Sequence, residues 1–331
     1  MFISHFKSPS GGSMHQHEFS LQQRELLPYP SGWFAACFSH ELKPGAVLTV
    51  PFMGKELVLY RTHSGLARVI EPYCPHLGAH LGHGGLVEGE RLTCPFHGLA
   101  FGPDGVCIAS AHCITPKMKL TPYHMDEARG MVLVWNDEQR QAPSWQLPAL
   151  DLSDFSPPSS SCYQLSGYAQ DMAENSADPL HFTHVHGFRE VVMKHHVDGH
   201  MMEMNMTARW RNLPLHMRLR NYGIGHVLGE SEFPGLGVQV KTMAFSTQTA
   251  PLSWTFRWSD VLRVNCFDSL PLLLRKWLHA MLIGLAHRWF VKVVSDDFAI
   301  WNHRNYVKNP QLLTGEGTMG TFRHWSAQFY P

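Results

Sequence analysis

The chain is poor in charge and has no excess of either sign. Only 16% of its 331 residues are Asp, Glu, Lys or Arg, and 27 basic side chains meet 27 acidic ones. A net charge of zero gives no overall field to draw in nucleic acid or an anionic surface. An uninterrupted apolar run of the roughly 20 residues that a membrane span needs is missing. The most hydrophobic segment, LPLLLRKWLHAMLIGLAHRWFVKVV over 270–294, is broken by Arg275, Lys276, His279, His287, Arg288 and Lys292. It predicts a buried amphipathic helix, with peripheral contact to a membrane surface as the alternative. The first residues, MFISHFKSPSGGSMHQHEFS, lack the apolar centre of a secretory signal and predict a mobile tail over 1–28. There are seven cysteines, an odd number at irregular spacing. That excludes a disulfide framework and favours a reducing, cytoplasmic compartment. No GxGxxG follows a strand pattern, no P-loop is found, and no repeat is seen. Nicotinamide or flavin binding in those folds is therefore excluded.

What is present is a core-forming composition, 44% hydrophobic, which suits a globular chain of one large or two ordinary domains. Between Gly45 and Trp135 short apolar segments such as AVLTVPFMG, KELVLYRTHSG, LARVIEP and GMVLVWND lie between Gly, Pro and Asp. They predict a small all-β domain over 29–150. The Pro-, Ser- and Gln-rich stretch EQRQAPSWQLPALDLSDFSPPSSS, 138–161, reads as linker and boundary. Residues 151–331 then predict an α+β domain, an antiparallel sheet flanked by helices. HMMEMNMTARWRN, GVQVKTMAFSTQT and LSWTFRWSD supply strands, and the 270–294 segment supplies a helix ending near SDDFAIWNHRNY.

Histidine is the residue in excess, with 23 copies, and two clusters of it carry chemistry. The first is YCPHLGAHLGHGGLVEGERLTCPFHGLAFG, which holds Cys74, His76, Cys94 and His97. The pattern is Cys-x-His, a 17-residue gap, then Cys-x-x-His. A zinc finger groups its cysteines in one arm and its histidines in the other. Mixed arms instead suit a [2Fe-2S] cluster, with thiolates on one iron and imidazoles on the other. Glycines 78, 82, 84, 85, 98 and 102 let the two loops close tightly. The bland readings are a zinc site or four unrelated residues.

CPHLGAHL and CPFHGLAF together resemble the motif of Rieske proteins. Respiratory-chain members carry an additional cysteine pair and a serine after the last His-Gly; Ala79, Phe96 and Leu99 stand at those places here. Fewer hydrogen bonds to the cluster sulfurs imply a lower potential. The resemblance is therefore to the Rieske domains of oxygenases and ferredoxins.

The second cluster, ENSADPLHFTHVH over 174–186, puts three histidines and two carboxylates within thirteen residues. Two histidines and one carboxylate form the facial triad of non-haem Fe(II) oxygenases. On a regular helix His181 and His184 share a face, whereas His181 and His186 lie about 140° apart. Local geometry prefers the first pair. The resemblance to Rieske oxygenases, with Asp-x-x-His-x-x-x-x-His, prefers Asp178, His181 and His186. Asp178-Pro179 also reads as an ordinary helix start. The resemblance implies that Asp178 bridges His97 of a neighbouring chain to His181, carrying the electron. The third ligand is expected at Asp296 or Asp297, and the alignment with the family favours Asp297; a solvated acidic pair is the bland reading.

The resemblance spans about Gly32 to Tyr306 and is nearest to the branch of 3-ketosteroid 9α-hydroxylase oxygenases and cholesterol 7-desaturases. It implies a terminal monooxygenase of helix-grip fold that uses O2 on an apolar, polycyclic, steroid-like substrate. It also implies a separate reductase or ferredoxin, through which alone NAD(P)H is used, and a homotrimer. Met201, Met202, Met204, Met206, Met217 and Met243 are candidate lining of an apolar pocket, though methionine is more often simply core. The rival readings are an electron carrier with a ligand-binding domain, a zinc hydrolase, and an oxygenase acting on a non-steroid natural product or an aromatic compound.

Overall fold

A computed structural model describes residues 24–109 and 117–331; the expected tail falls outside them up to residue 23. Arg24 to Pro28 are held in place. Arg24 Nη2 donates to the Asn302 carbonyl at 3.0 Å, and the Tyr168 hydroxyl donates to the Glu25 carbonyl at 2.8 Å.

Among the described residues the N-terminal part has ten strands. β1 (Gly32–Phe38), β9 (Met125–Ala128) and β10 (Met131–Asn136) form one sheet in the order β1-β10-β9. β2 (Val47–Phe52), β3 (Lys55–Arg61) and β4 (Ala67–Ile70) form a second. β5 (Leu86–Glu88), β6 (Arg91–Thr93), β7 (Ala100–Phe101) and β8 (Cys107–Ala109) form a third, small sheet. β1 and β10 are buried along their whole length. Their sequences, GWFAACF and MVLVWN, are accordingly apolar on both faces, as in strands with no solvent side.

The C-terminal part is one seven-stranded antiparallel sheet. Its strands are β11 (Ser159–Ser166), β12 (Arg189–Asp198), β13 (Met201–Trp210), β14 (Leu213–Tyr222), β15 (His226–Phe233), β16 (Val238–Ala250) and β17 (Ser253–Val264). The order is β11-β17-β16-β15-β14-β13-β12, a meander with β11 added at the β17 edge. β13 shows why: Met202, Met204, Met206 and Ala208 are buried while Asn205 and Thr207 between them are exposed, the period-2 pattern of a sheet with one covered face.

Four helices accompany this sheet: α1 (Gln170–Asn175), α2 (Pro179–His184), α3 (Leu272–His303) and α4 (Gly317–Ser326). α3 lies over β11 and β17. It buries His279, Ile283 and His287, four residues apart, and then Asp297 and Trp301, a single stripe at helical spacing. The expected helix thus runs on unbroken past the SDD sequence, because no Gly or Pro interrupts it there.

The two parts share their cores. Phe34 and Phe52 belong to the same apolar cluster as Met204, Trp254 and Trp301, and Trp33 and Trp135 to the same cluster as Tyr222 and Phe245. The Pro- and Ser-rich connection is packed onto the second of these. Trp145 stacks on His200 at 4.4 Å, and Trp33 Nε1 donates to the Trp145 carbonyl at 2.8 Å.

Candidate metal centre and substrate cavity

The two cysteine loops adopt one geometry twice. Cys74 N–H donates to the Ala79 carbonyl at 2.9 Å, and Gly78 N–H donates to the Cys74 carbonyl at 3.0 Å. Cys94 N–H donates to the Leu99 carbonyl at 2.8 Å, and Gly98 N–H donates to the Cys94 carbonyl at 3.1 Å. Gly78 and Gly98 take φ of 72° and 64°, the left-handed region where a side chain costs about 1–2 kcal/mol. Each loop therefore carries its Cys buried at the base and its His outward.

Cys74 and Cys94 are buried, whereas His76 is exposed and His97 half-buried. The imidazole centroids stand 4.7 Å apart. Burial pushes the Cys74 thiol up to about 11, and the neighbouring Cys94 adds to this. A buried thiol pair below an imidazole pair is a donor set for two irons joined by sulfides rather than for one tetrahedral ion. The rim is apolar and exposed: Tyr73, Leu77, Leu86 and Phe96 each expose more than half of their surface.

The second centre is built by α2 and α3. Asp178 caps α2, its Oδ1 accepting from Leu180 N–H at 2.9 Å and His181 N–H at 3.1 Å. The helix ends at His184, which is exposed. Past the cap at Val185, His186 meets His181 with ring centroids 4.6 Å apart, and Gly187, at φ 68°, turns the chain away toward β12. Asp297 arrives from α3, 3% exposed, while Asp296 faces outward. Asp297 Oδ1 lies 3.3 Å from His181 Nε2 and Oδ2 lies 3.5 Å from His186 Nε2.

None of these approaches is a hydrogen bond. Asp297 Oδ1 and His186 Nδ1 are buried with no partner among the described residues. Burial, more than the opposing Asp297 carboxylate, holds His181 below the usual imidazole range, so its lone pair is free to ligate. One atom each of His181, His186 and Asp297 falls within 4.8 Å of the others, the one such group of three among the described residues. Buried polar atoms left without partners between a carboxylate and two imidazoles are costly unless a cation sits between them. The residues fit a metal of the two-His, one-carboxylate class.

Sequence reasoning missed Asn175. Its side chain reaches to 3.4 Å from His181 Nε2. Turned so that its oxygen takes the Trp301 indole N–H at 3.0 Å, its nitrogen donates to the Asp171 carbonyl at 3.3 Å. The ENSADPLH sequence offered it, but a metal-ligand search passes over amides. α1, which carries it, is buried along its length and holds two acids. Glu174 is bound by Arg304 and by Arg323, whose Nε lies 2.7 Å away. Asp171 lies 3.5 Å from Arg304 Nη1.

His181, His186 and Asp297 border a cavity of about 230 Å³ between the sheet and α3. Its walls include Phe182, Phe256, Trp258 and Trp301, with half-buried Trp210 and Trp289 among its lining. Of the six methionines expected to line it only Met217 does so; Met202, Met204, Met206 and Met243 are core, and Met201 packs against the core cluster of Trp33 and Phe245. The alternation along a strand selects the covered face, but not which part of that face meets a cavity. A larger polar groove of about 860 Å³ bears paired charges such as Arg220 with Glu230 nearby and Lys241 with Glu230, and holds none of the metal-ready residues.

Residues 134–330 match the family described as 3-ketosteroid 9alpha-hydroxylase C-terminal domain, and residues 32–120 match the Rieske [2Fe-2S] domain. The chain belongs to this family of Rieske oxygenases. A Rieske oxygenase has a [2Fe-2S] cluster and a non-haem iron as its cofactors. The chain is similar to a cholesterol 7-desaturase of Bombyx mori, 28% identical over 92% of this chain and 70% of that protein. It is also similar to the oxygenase component of a 3-ketosteroid-9-alpha-monooxygenase of Rhodococcus rhodochrous, 22% identical over 91% of this chain and 80% of that protein. Dicamba monooxygenase bound to dicamba shares the fold, with a TM-score of 0.66 at 14% identity over 92% of this chain and 98% of that one. So does Pseudomonas putida NdmA with theobromine, with a TM-score of 0.69 at 16% identity over 89% and 88%.

Proposed function

We propose that this Rieske oxygenase is a terminal monooxygenase that oxidises an apolar, polycyclic, steroid-like substrate with O2. Electrons come from a separate reductase or ferredoxin, which alone draws on NAD(P)H. With two electrons and two protons supplied, one oxygen atom enters a C–H bond and the other leaves as water, or two hydrogens are removed to leave a double bond or ring and both oxygen atoms leave as water. The observation that carries this reading is the convergence of His181, His186 and Asp297 on one edge of an apolar cavity.

Each residue has a stated part. Cys74 and Cys94 would hold one iron of the cluster by thiolates, and His76 and His97 would hold the other by ring nitrogens. His181, His186 and Asp297 would hold the mononuclear iron, a ligand set that leaves coordination positions free. When bound, the cluster supplies electrons singly and the iron supplies dioxygen activation. Asp178 uses Oδ1 for both cap bonds, which leaves Oδ2 to accept from an imidazole N–H. That imidazole is His97 of a neighbouring copy in a homotrimer, and the exposed apolar rim around His76 and His97 supports such a contact. The aromatic walls exclude water and orient the substrate.

The similarity to a cholesterol 7-desaturase and to a 3-ketosteroid-9-alpha-monooxygenase component supports a steroid-like substrate. The cavity volume of about 230 Å³ lies below the roughly 300–1,000 Å³ of drug-sized sites and favours a smaller aromatic compound or natural product as the second reading. Among the described residues no helix is long and apolar enough to cross a membrane. We place the protein in the cytoplasm, with a peripheral membrane contact through α3.

Anaerobic metal analysis with visible spectroscopy is the test. About three iron per chain are expected, two of them in the cluster. His181→Ala should keep the cluster's colour and lose the third iron and all turnover. Two iron in the unaltered protein would leave an electron carrier; zinc and no colour would leave a hydrolase.

A further inference from the structure

Behind the cavity wall lies a hydrogen-bonded chain that neither metal centre uses. Ser161 Oγ on β11 lies 2.8 Å from His287 Nε2 on α3. His287 Nδ1 lies 2.7 Å from Asp260 Oδ2 on β17, and Thr242 Oγ1 on β16 donates to Asp260 Oδ1 at 2.5 Å. Asp260 is fully buried and His287 is 5% exposed. Thr242 borders the cavity that His181, His186 and Asp297 also border.

The direction of each bond follows from what the groups carry. An ionised carboxylate only accepts, so each Asp260 oxygen takes one donor, the His287 Nδ1–H and the Thr242 O–H. The Ser161 hydroxyl at His287 Nε2 and Asp260 at Nδ1 hold the ring from both sides. Thr242 thereby gives its single proton to Asp260, and what it turns toward the cavity is lone pairs. Gly229, its partner across β15 and β16, leaves it uncovered; a Cβ there would stand 3.6 Å from the Thr242 Cβ. Ser231, also on the wall, has no such constraint and serves donors and acceptors alike.

We propose that Thr242 is the specificity-determining residue of this cavity, an acceptor held in place by Asp260 that selects a polycyclic alcohol over the ketone of the same skeleton. A hydroxyl donates to Thr242 Oγ1. A carbonyl brings an acceptor against an acceptor and leaves Thr242 Oγ1 without a donor, the kind of mismatch that discriminates between analogues more strongly than apolar fit does. Trp258 Nε1, buried on the same wall without a partner among the described residues, is a donor that the oxygen of either analogue can take, so the discrimination rests on Thr242. His287 and Ser161 are positioning residues, which act through Asp260. The inference rests on the reading of the cavity as the site of a steroid-like substrate.

The test is equilibrium binding to the metal-loaded protein, read by quenching of the cavity tryptophans, with cholesterol and its 3-oxo counterpart as the paired probes. The alcohol should bind at least about tenfold tighter. Thr242→Val, of nearly the same shape, should bring the two dissociation constants within about threefold. Asp260→Asn presents an N–H to Thr242, turns the threonine proton to the cavity and should reverse the preference. Ser161→Ala should narrow it. Equal binding of both probes by the unaltered protein, or a preference that survives Thr242→Val, overturns the assignment while leaving the steroid-like substrate standing. Failure of both probes to bind overturns the assignment and the steroid-like reading together, and tighter binding of the ketone overturns the assignment alone.

Discussion

Burial pushes the Asp171 carboxyl up to about 7, with Glu174 adding and Arg304 opposing. Its Oδ2 has no hydrogen-bond partner among the described residues. A carboxyl raised in the folded state holds a proton that the unfolded chain has released, so folding gains from it at acid pH. That gain is complete below the ordinary value of 3.8 and is lost as pH climbs through about 7. Urea unfolding of Asp171→Asn and of the unaltered protein across pH 4–8 measures the difference. The difference should change by at most about 1.4 kcal/mol per pH unit and level off above neutrality. Parallel profiles would show that Asp171 ionises normally. The residue scale also shows what was legible beforehand. Cys74, His76, Cys94 and His97 stand out by a local spacing of side chains suited to metals, and the structure buries the two cysteines and sets the two imidazoles 4.7 Å apart. The partners of Asp171 and Glu174 do not stand out, since Arg304 and Arg323 lie more than 120 residues away and any surface arginine looks the same in sequence.

At the scale of elements, periodicity served well wherever an element was regular and failed where it stopped. Helical spacing alone pairs His181 with His184. The structure leaves the helix at Val185, so the fifth residue rather than the third returns to the site. The methionine-rich strand β13 was legible as a strand, but its side chains proved to be core. For α3 the interruptions by Arg and Lys correctly opposed a membrane span, yet its outer face stays apolar. Leu273, Trp277, Met281 and Leu285 are exposed, flanked by exposed Lys276, Arg288 and Lys292, with no acidic residue between Ser269 and Ser295. Such a face fits an anionic bilayer surface, where each basic side chain contributes about 1 kcal/mol. The protein should co-sediment with vesicles containing phosphatidylglycerol and far less with phosphatidylcholine alone. Leu273→Glu with Trp277→Glu should abolish this while leaving turnover in detergent unchanged. Equal recovery of both proteins with the vesicles would remove the membrane contact.

At the scale of the molecule, the two metal centres sit on different parts that share cores, so their relative positions are set by packing and not by a loose linker. The cluster loops present His76 and His97 outward within an apolar rim, and Asp178 stands half-buried at the start of α2. In the proposed trimer, a ring of copies lets one meet the other by rotation. If Asp178 is the link between copies, its two functions separate by substitution. Asn at 178 still caps α2 through its side-chain oxygen, so iron content, the visible spectrum and the sedimentation of a trimer should be unchanged. Its amide no longer accepts as a carboxylate does, and turnover should fall by about 10–100-fold. Chemical reduction of the cluster by dithionite should proceed as before, which places the loss after the cluster rather than at it. Full turnover in Asp178→Asn, or full turnover in a species that sediments as a monomer, would mean that electrons reach the triad within one chain and that the rim around His76 and His97 serves the reductase alone.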